Sequence, residues 1–319
     1  MSQTAFLFPG QGSQYVGMAR DLYERFDGAR RVIDEADRVL DVPLSAIMFG
    51  TAEDRPDAEE ALKQTDVTQP ALYVHSMAVM AVLRRRAPRP SMVAGHSLGE
   101  YSALAAAGAL SFEDGLRLVR RRGQLMAGAG DARPGTMAAV LGMDDDEVVQ
   151  VCAEATKGTV SVVEAANFNA PGQVVISGDV DAVERAMSAA GDRGARRVVP
   201  LPVSGAFHSP LMDYAREGLQ EALEKVEIQR PECPVYLNVT GEPSRDPDEI
   251  RRRLVDQLTA PVRWSHSLRA MQEAGAGRFV EVGAGRVLSG LVRRTLGRDV
   301  DTVSAEGADD VAALLESET

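Results

Sequence analysis

A serine between two glycines is the first feature of this sequence that could do chemistry. An apolar run at residues 92–94 ends in Gly-His-Ser-Leu-Gly, which places Ser97 between Gly95 and Gly99, and an alanine-rich segment follows at 101–109. This order predicts a strand, a sharp turn and a helix, as in the Gly-x-Ser-x-Gly nucleophile elbow. Small flanking residues are needed because the turn is tight. An ordinary strand-to-helix turn could give the same pattern, but the flanking elements favour a nucleophile.

A nucleophilic serine needs a base, and the chain has 4 histidines. His208 precedes a Ser-Pro pair that predicts the start of a helix running to about residue 225. The positive end of that helix should keep the imidazole neutral and able to accept a proton. The other histidines are less suitable, since His75 lies in a predicted buried helix, His96 should point away from the serine and His266 caps a helix. A structural role for His208 remains the alternative.

An arginine lies on the apolar side of a predicted helix at residues 111–126. At about 100° per residue, Arg122 lies between Leu118 and Leu125, whereas the neighbouring arginines lie on the opposite side. Unpaired burial of a guanidinium costs several kcal/mol, so Arg122 needs an anionic partner. That partner is either an internal Asp or Glu, or a substrate carboxylate gripped by two parallel hydrogen bonds. The helix pattern alone favours neither.

Several further segments have to position these residues. A predicted strand at 4–8 leads into a loop in which Gln11 lies between two glycines, as expected where backbone turns tightly or approaches a ligand. Residues 135–203 follow a β-α-β-β-α-β order, which is the ferredoxin-like arrangement. Asn167 falls in the predicted connection between the middle strands, so we interpret it as a turn residue, with a cleft position as the alternative.

The run at 279–282 is the last strand that the pattern predicts. Two glycines follow it, at 283 and 285. They do not form a dinucleotide-binding fingerprint, because the third glycine is misplaced and no βαβ unit is expected in the remaining chain.

Composition excludes several classes of function. The chain has 319 residues, 45% of them hydrophobic, and a net charge of −12, which argues against non-specific nucleic-acid binding. Its 2 cysteines form no zinc or redox motif, so no metal is expected and a reducing compartment suits the count. Neither a basic leader nor a membrane-spanning run is recognised. We therefore expect a cytoplasmic protein that contacts no membrane.

Six short motifs together resemble those of the malonyl-CoA:acyl carrier protein transacylases, the acyltransferase family of fatty-acid and polyketide synthesis. In chain order the motifs are Phe8-Pro9-Gly10-Gln11-Gly12, Gly95-His96-Ser97-Leu98-Gly99-Glu100, Arg122-Gly123, Asn167-Phe168-Asn169, Gly205-Ala206-Phe207-His208 and Gln257-Leu258. The resemblance runs over nearly the whole chain. It implies an α/β protein with an α/β-hydrolase-like core around a parallel sheet, at residues 1–128 and 204–319, interrupted by a ferredoxin-like subdomain at 129–203.

The resemblance also implies catalytic roles. Ser97 would be the nucleophile and His208 the general base. The backbone amides of Gln11 and Leu98 would form the oxyanion hole. Gln257 would orient the histidine through its backbone carbonyl, so that no acidic third member of a triad is required.

Substrate recognition follows from the same resemblance. Arg122 would hold the malonyl carboxylate and Asn167 would contact the substrate. Phe207 before the histidine is typical of malonyl-selective members, although Gly205 makes this match partial. The implied reaction is ping-pong transfer of malonyl from malonyl-CoA to acyl carrier protein for fatty-acid synthesis, with no cofactor beyond the coenzyme A thioester substrate.

Three alternatives stay open beside this interpretation. A serine thioesterase or esterase would share the elbow, a polyketide acyltransferase could prefer another extender unit, and a non-catalytic scaffold would need none of these residues. An acidic carrier protein should dock on a basic patch. The candidates are one patch at Arg117, Arg120 and Arg121 and another at Arg193, Arg196 and Arg197.

Overall fold

The computed structural model describes residues 3–51, 57–84, 89–203 and 205–317. The strands are β1 Gln3–Phe8, β2 Met92–Gly95, β3 Gly135–Leu141, β4 Val163–Ala170, β5 Gln173–Asp179, β6 Arg197–Pro200, β7 Val235–Tyr236, β8 Pro243–Ser244, β9 Ala276–Val282 and β10 Asp301–Ala305. The helices are α1 Arg20–Arg25, α2 Asp27–Leu40, α3 Leu44–Phe49, α4 Ala58–Lys63, α5 Thr65–Leu83, α6 Gly99–Ala106, α7 Phe112–Ala132, α8 Asp145–Thr156, α9 Val180–Asp192, α10 Asp213–Glu224, α11 Pro247–Asp256, α12 Trp264–Glu273, α13 Val287–Leu296 and α14 Ala308–Ser317, with a short 3₁₀ turn at Pro210–Met212.

The larger sheet has 6 strands in the order β10-β9-β1-β2-β7-β8. Its pairs are parallel except for β7 with β8, which forms an antiparallel edge. The carboxyl ends of β1 and β2 therefore lie side by side, and the loops that follow them meet at one edge. This places the loop containing Gln11 beside the turn containing Ser97.

The prediction that 279–282 is the last strand was wrong, because α13 and β10 follow it and β10 pairs with β9 in parallel. β10 is an edge strand with few fully buried residues, so its sequence lacks the apolar run of an inner strand. A βαβ unit thus does follow the two glycines. However, the Glu281 carboxylate accepts hydrogen bonds from the amides of Leu288 and Ser289 at 3.0 and 2.8 Å. These amides of the first turn of α13 are therefore already used, and a dinucleotide phosphate could not bind them.

The smaller sheet has 4 strands in the order β4-β5-β3-β6, and all its pairs are antiparallel. Its elements follow the predicted β-α-β-β-α-β order, and α8 and α9 bury their apolar sides against the sheet in a core of their own. Helix α7 continues past residue 128, and Ser204 lies outside the described residues. The domain boundaries at 128 and 204 therefore remain predictions.

Helix α5 is the centre of the main core. It is buried along almost its whole length and packs against α7, which carries Arg122. Gly123 allows this approach, since a Cβ there would lie 2.7 Å from the Asp66 Cα and 2.8 Å from the Thr65 carbonyl oxygen. Among the described helices, none is both long and apolar enough to cross a bilayer.

Candidate active site

Ser97 lies on a backbone turn that only small neighbours permit. Its φ of 51° is left-handed, which is uncommon for a residue other than glycine. A Cβ on Gly95 would lie 1.9 Å from the carbonyl carbon of Gly99, and a Cβ on Gly99 would lie 2.1 Å from the carbonyl oxygen of Phe8. The two glycines therefore let the turn close on itself and on the end of β1. Ser97 is held at the carboxyl edge of the sheet.

His208 is in direct contact with the serine. Its Nε2 lies 2.7 Å from Ser97 Oγ, and its Nδ1 lies 2.8 Å from the backbone carbonyl oxygen of Gln257. Because a carbonyl oxygen only accepts, Nδ1 carries the proton and Nε2 is free to accept one from the serine hydroxyl. The geometry thus holds the ring in the tautomer that a general base requires.

Burial keeps this imidazole neutral. Burial of the ring lowers the pKa of His208 to about 3, and the nearby charge of Arg122 adds to the effect. The helix predicted to begin at Pro210 is instead a 3₁₀ turn, Pro210–Met212, capped by Ser209, and α10 begins after it. Desolvation, rather than a helix terminus, is therefore the main cause of the low pKa.

Arg122 is buried beside the serine, with 1% of its surface exposed. Its Nη1 donates to Gln69 Oε1 at 2.9 Å, and its Nη2 donates to Gln257 Oε1 at 2.9 Å and to Ser97 Oγ at 3.1 Å. Its Nε has no acceptor among the described residues. Among the described residues its acceptors are all neutral, so no described Asp or Glu is its direct partner, which was one of the two alternatives from the sequence.

A buried network of hydrogen bonds holds the elbow in place. Asn238, which follows β7, accepts from the Ser97 amide at 2.7 Å and donates to the Gly95 carbonyl at 2.7 Å. Glu100 accepts from the Asn238 amide at 3.0 Å and from Gln257 Nε2 at 2.9 Å. Burial raises the pKa of this carboxyl to about 7. The strand, the elbow and the segment after α11 are thereby joined.

The two amides expected to form an oxyanion hole lie in the loops that follow β1 and β2. Leu98 is the residue immediately before α6, and Gln11 follows the end of β1. Neither amide donates to a backbone or side-chain acceptor in the part of the chain that the structure describes. The Gln11 side chain donates instead to Thr65 Oγ1 at 3.4 Å, which points its polar end toward α5.

One family model, described as an acyl transferase domain, matches residues 5–312. The chain belongs to this family. It is 43% identical to the malonyl CoA-acyl carrier protein transacylase of Bacillus subtilis (strain 168) over 99% of this chain and 98% of the relative. It is 41% identical to the transacylase of the same name from Staphylococcus aureus (strain MRSA252) over 100% of both chains.

Solved structures of acyltransferases agree with this assignment. The malonyl-CoA:acyl carrier protein transacylase of Xanthomonas oryzae pv. oryzae matches with a TM-score of 0.93 at 43% identity, covering 100% of this chain and 99% of that chain. A malonyl-transacylase in complex with its type II PKS acyl-carrier protein matches with a TM-score of 0.92 at 39% identity, covering 99% and 100%.

In this acyltransferase the structure does not bring every expected site residue to Ser97. Asn167 was interpreted as a turn residue, which was wrong, because it is buried within β4 and bridges to Val262. Phe207 is buried in the main core. Among the described residues, neither Asn167 nor Phe207 shares a hydrogen bond with the Ser97–His208 pair, so their contact with substrate remains a prediction.

The sequence did not predict three residues of the hydrogen-bond network around Ser97 and Arg122 in this acyltransferase. Sequence patterns offer no reason to assign a role to Gln69 or Asn238, since an isolated amide side chain gives no periodic signal. Glu100 did offer a signal, because it is an acid in an otherwise mostly apolar, buried helix directly after the elbow glycine. A buried acid at that position needs hydrogen-bond donors nearby.

Proposed function

We propose that the chain transfers the malonyl group from malonyl-CoA to the phosphopantetheine thiol of acyl carrier protein, supplying fatty-acid synthesis. The observation that carries this proposal is the guanidinium of Arg122, buried with only neutral partners and 3.1 Å from Ser97 Oγ. A buried cation with an unpartnered Nε next to a nucleophile suits an acyl group that ends in a carboxylate. The names of the relatives support the same substrate and acceptor.

The mechanism begins with acylation of the serine. His208 Nε2 accepts the hydroxyl proton while Ser97 Oγ attacks the thioester carbonyl carbon. The carbon–sulfur bond then breaks, and His208 returns the proton to the leaving coenzyme A thiolate. A malonyl-serine ester remains. In the second half, His208 takes the proton of the phosphopantetheine thiol and the sulfur attacks the ester carbon. The bond between that carbon and Ser97 Oγ then breaks, and His208 returns the proton to Oγ.

Negative charge on the carbonyl oxygen has to be stabilised in both halves. We assign this role to the backbone amides of Gln11 and Leu98. Neither amide donates to another described group, and Leu98 immediately precedes the N-terminus of α6, where the helix dipole favours negative charge. An oxyanion-hole donor of this kind contributes about 3 kcal/mol. We assign Gln257 to orient His208, because its carbonyl oxygen fixes the Nδ1 proton.

Selectivity is assigned to Arg122 first. With an acetyl group the guanidinium would keep its buried charge without an anionic partner, which costs several kcal/mol. Phe207 and Asn167 are proposed as lesser contributors on the strength of the sequence resemblance. No cofactor other than the coenzyme A thioester substrate is proposed. No group of His, Cys, Asp and Glu residues that could hold a metal is present in the described part of the chain.

We also propose an α/β-hydrolase-like core, a ferredoxin-like insertion and a cytoplasmic location. The parallel sheet with a serine elbow after β2 supports an α/β-hydrolase-like core, and the strand order of the smaller sheet supports a ferredoxin-like insertion. Both cysteines, Cys152 and Cys233, are buried and free, which supports a cytoplasmic location.

Docking of an acidic carrier protein requires arginines that are not already paired. Arg117 pairs with Glu113, Arg120 with Asp66 and Arg193 with Glu154. The candidates that remain exposed without an ion pair among the described residues are Arg121, Arg196 and Arg197. We therefore propose that these three, rather than their neighbours, are available to the carrier protein.

Labelling of the serine tests the reaction. Radiolabelled malonyl-CoA should form a stable ester with the wild-type chain and none with Ser97→Ala. Acyl carrier protein bearing phosphopantetheine should remove the label much faster than buffer alone does. Rapid loss of the label to water, unchanged by carrier protein, would instead indicate a thioesterase.

A further inference from the structure

The guanidinium of Arg122 lies between two amide side chains. Gln69 on α5 accepts from Nη1, and Gln257 after α11 accepts from Nη2, each at 2.9 Å. An amide oxygen satisfies a buried N–H group but carries no net charge. The two glutamines therefore stabilise the guanidinium in its buried position while leaving its positive charge without a counterion in contact.

The orientation of each amide is fixed by its second partner. Gln69 Nε2 lies 3.2 Å from Met126 Sδ, a weak acceptor, and Gln257 Nε2 donates to the Glu100 carboxylate at 2.9 Å. Both amide oxygens consequently point toward Arg122. The Glu100 carboxylate is the nearest acid in this network, but it is connected to the guanidinium through the Gln257 amide rather than by a direct hydrogen bond.

We propose that Gln69 is a specificity-determining residue, because its neutral acceptor keeps the charge of Arg122 available for the carboxylate of the acyl group. This inference rests on the proposed malonyl transfer. Glutamate has almost the same shape as glutamine, so Gln69→Glu would place an internal carboxylate at the position of the 2.9 Å contact. That carboxylate would pair with Arg122 and repel a negatively charged acyl group.

Gln69 tests this idea more cleanly than Gln257 does. The side chain of Gln257 contacts Glu100 and its backbone carbonyl accepts from His208, so a change there disturbs the base as well as the anchor. The only other side-chain hydrogen bond of Gln69 in the described residues is the one to Met126. A new charge at residue 69 thus acts mainly on Arg122.

The experiment compares three variants in single-turnover acylation with malonyl-CoA and acetyl-CoA. Gln69→Glu adds the charge, Gln69→Met removes the acceptor without adding charge, and Gln124→Glu adds the same charge at an exposed position of α7. We expect the malonyl-to-acetyl ratio of kcat/KM to fall about 100-fold in Gln69→Glu. Gln69→Met and Gln124→Glu should keep the preference for malonyl.

Two results would overturn the inference. One is an unchanged ratio in a folded Gln69→Glu variant, and the other is an equal fall in Gln69→Glu and Gln69→Met, which would indicate lost packing rather than charge. Melting temperatures establish folding, and if Gln69→Glu does not fold, Gln69→Asp is compared with Gln69→Asn, a pair of the same shape that differs in charge. A wild-type chain without a preference for malonyl would refute the proposed function instead, and it would be recognised before any variant is compared.

Discussion

Replacing Arg122 with alanine should abolish the preference for malonyl, with a much smaller effect on acetyl transfer. A guanidinium can bind a carboxylate through two charge-assisted hydrogen bonds, each worth about 1.5–3 kcal/mol. Their loss weakens the malonyl transition state by about 3–6 kcal/mol, which corresponds to about a 150- to 25,000-fold lower kcat/KM. An acetyl group has no carboxylate to lose, so acetyl transfer should change far less.

The assay is a competition between malonyl-CoA and acetyl-CoA, read as the ratio of the two acyl-serine esters in a single turnover. Arg121→Ala is the matched control, because it removes the same side chain from the next position of α7, where it is exposed. Arg122→Ala also leaves the Gln69 and Gln257 side-chain oxygens without a donor, so the melting temperature of Arg122→Ala has to be measured alongside. An unchanged ratio in a folded Arg122→Ala variant would remove this residue from the carboxylate site.

Three further predictions follow from the geometry. Because burial lowers the pKa of His208 to about 3, the base stays neutral on acidification. In a Glu100→Gln variant, which removes the carboxyl with a pKa of about 7, the acylation rate should therefore be flat between about pH 8 and pH 5; titration near pH 6.5 in that variant would contradict this. Gly123→Ala should lower malonyl transfer at least about tenfold, because its Cβ would lie 2.7 Å from the Asp66 Cα and push α7 away from α5. The control is Gly128→Ala, whose Cβ would meet no heavy atom within 4 Å and which should not change the transfer kinetics. Asn238→Ala leaves a buried amide unpaired at a cost of about 1–3 kcal/mol, measurable as a lower midpoint of urea unfolding; an unchanged midpoint would contradict it.

The elbow could be predicted from the sequence because its constraint is local. Gly95 and Gly99 are required by contacts within a few residues and with the end of β1, so their spacing around Ser97 identifies the turn before any tertiary structure is known. The order of elements in the smaller sheet was predictable for a related reason, since alternation of strands and helices depends on each segment's own pattern. Edge strand β10 gave no such pattern and was missed.

The partners of Arg122 could not be predicted from local pattern. The helix pattern shows that its side chain faces the core, but its acceptors come from α5 and from the segment after α11, far away in the chain. Gln69 and Gln257 are neutral, whereas a search for the counterion of a buried arginine considers acids. The same limit applies to Asn167, which lies opposite Val175 of β5 and also bridges to Val262, pairings that no local rule reveals.

The two reacting residues depend on backbone conformations that neither would adopt alone. Ser97 and His208 both have left-handed φ values, 51° and 58°, which cost about 1–2 kcal/mol each in a residue with a Cβ. They lie on separate segments, and Gln257 joins them, because its carbonyl oxygen accepts from His208 while its Nε2 donates to the Ser97 carbonyl at 3.1 Å. Its Oε1 also accepts from Arg122. One residue thus ties the nucleophile, the base and the cation together, so a loss of activity in a Gln257 variant cannot be attributed to any one of them unless the acetyl and malonyl rates are measured separately.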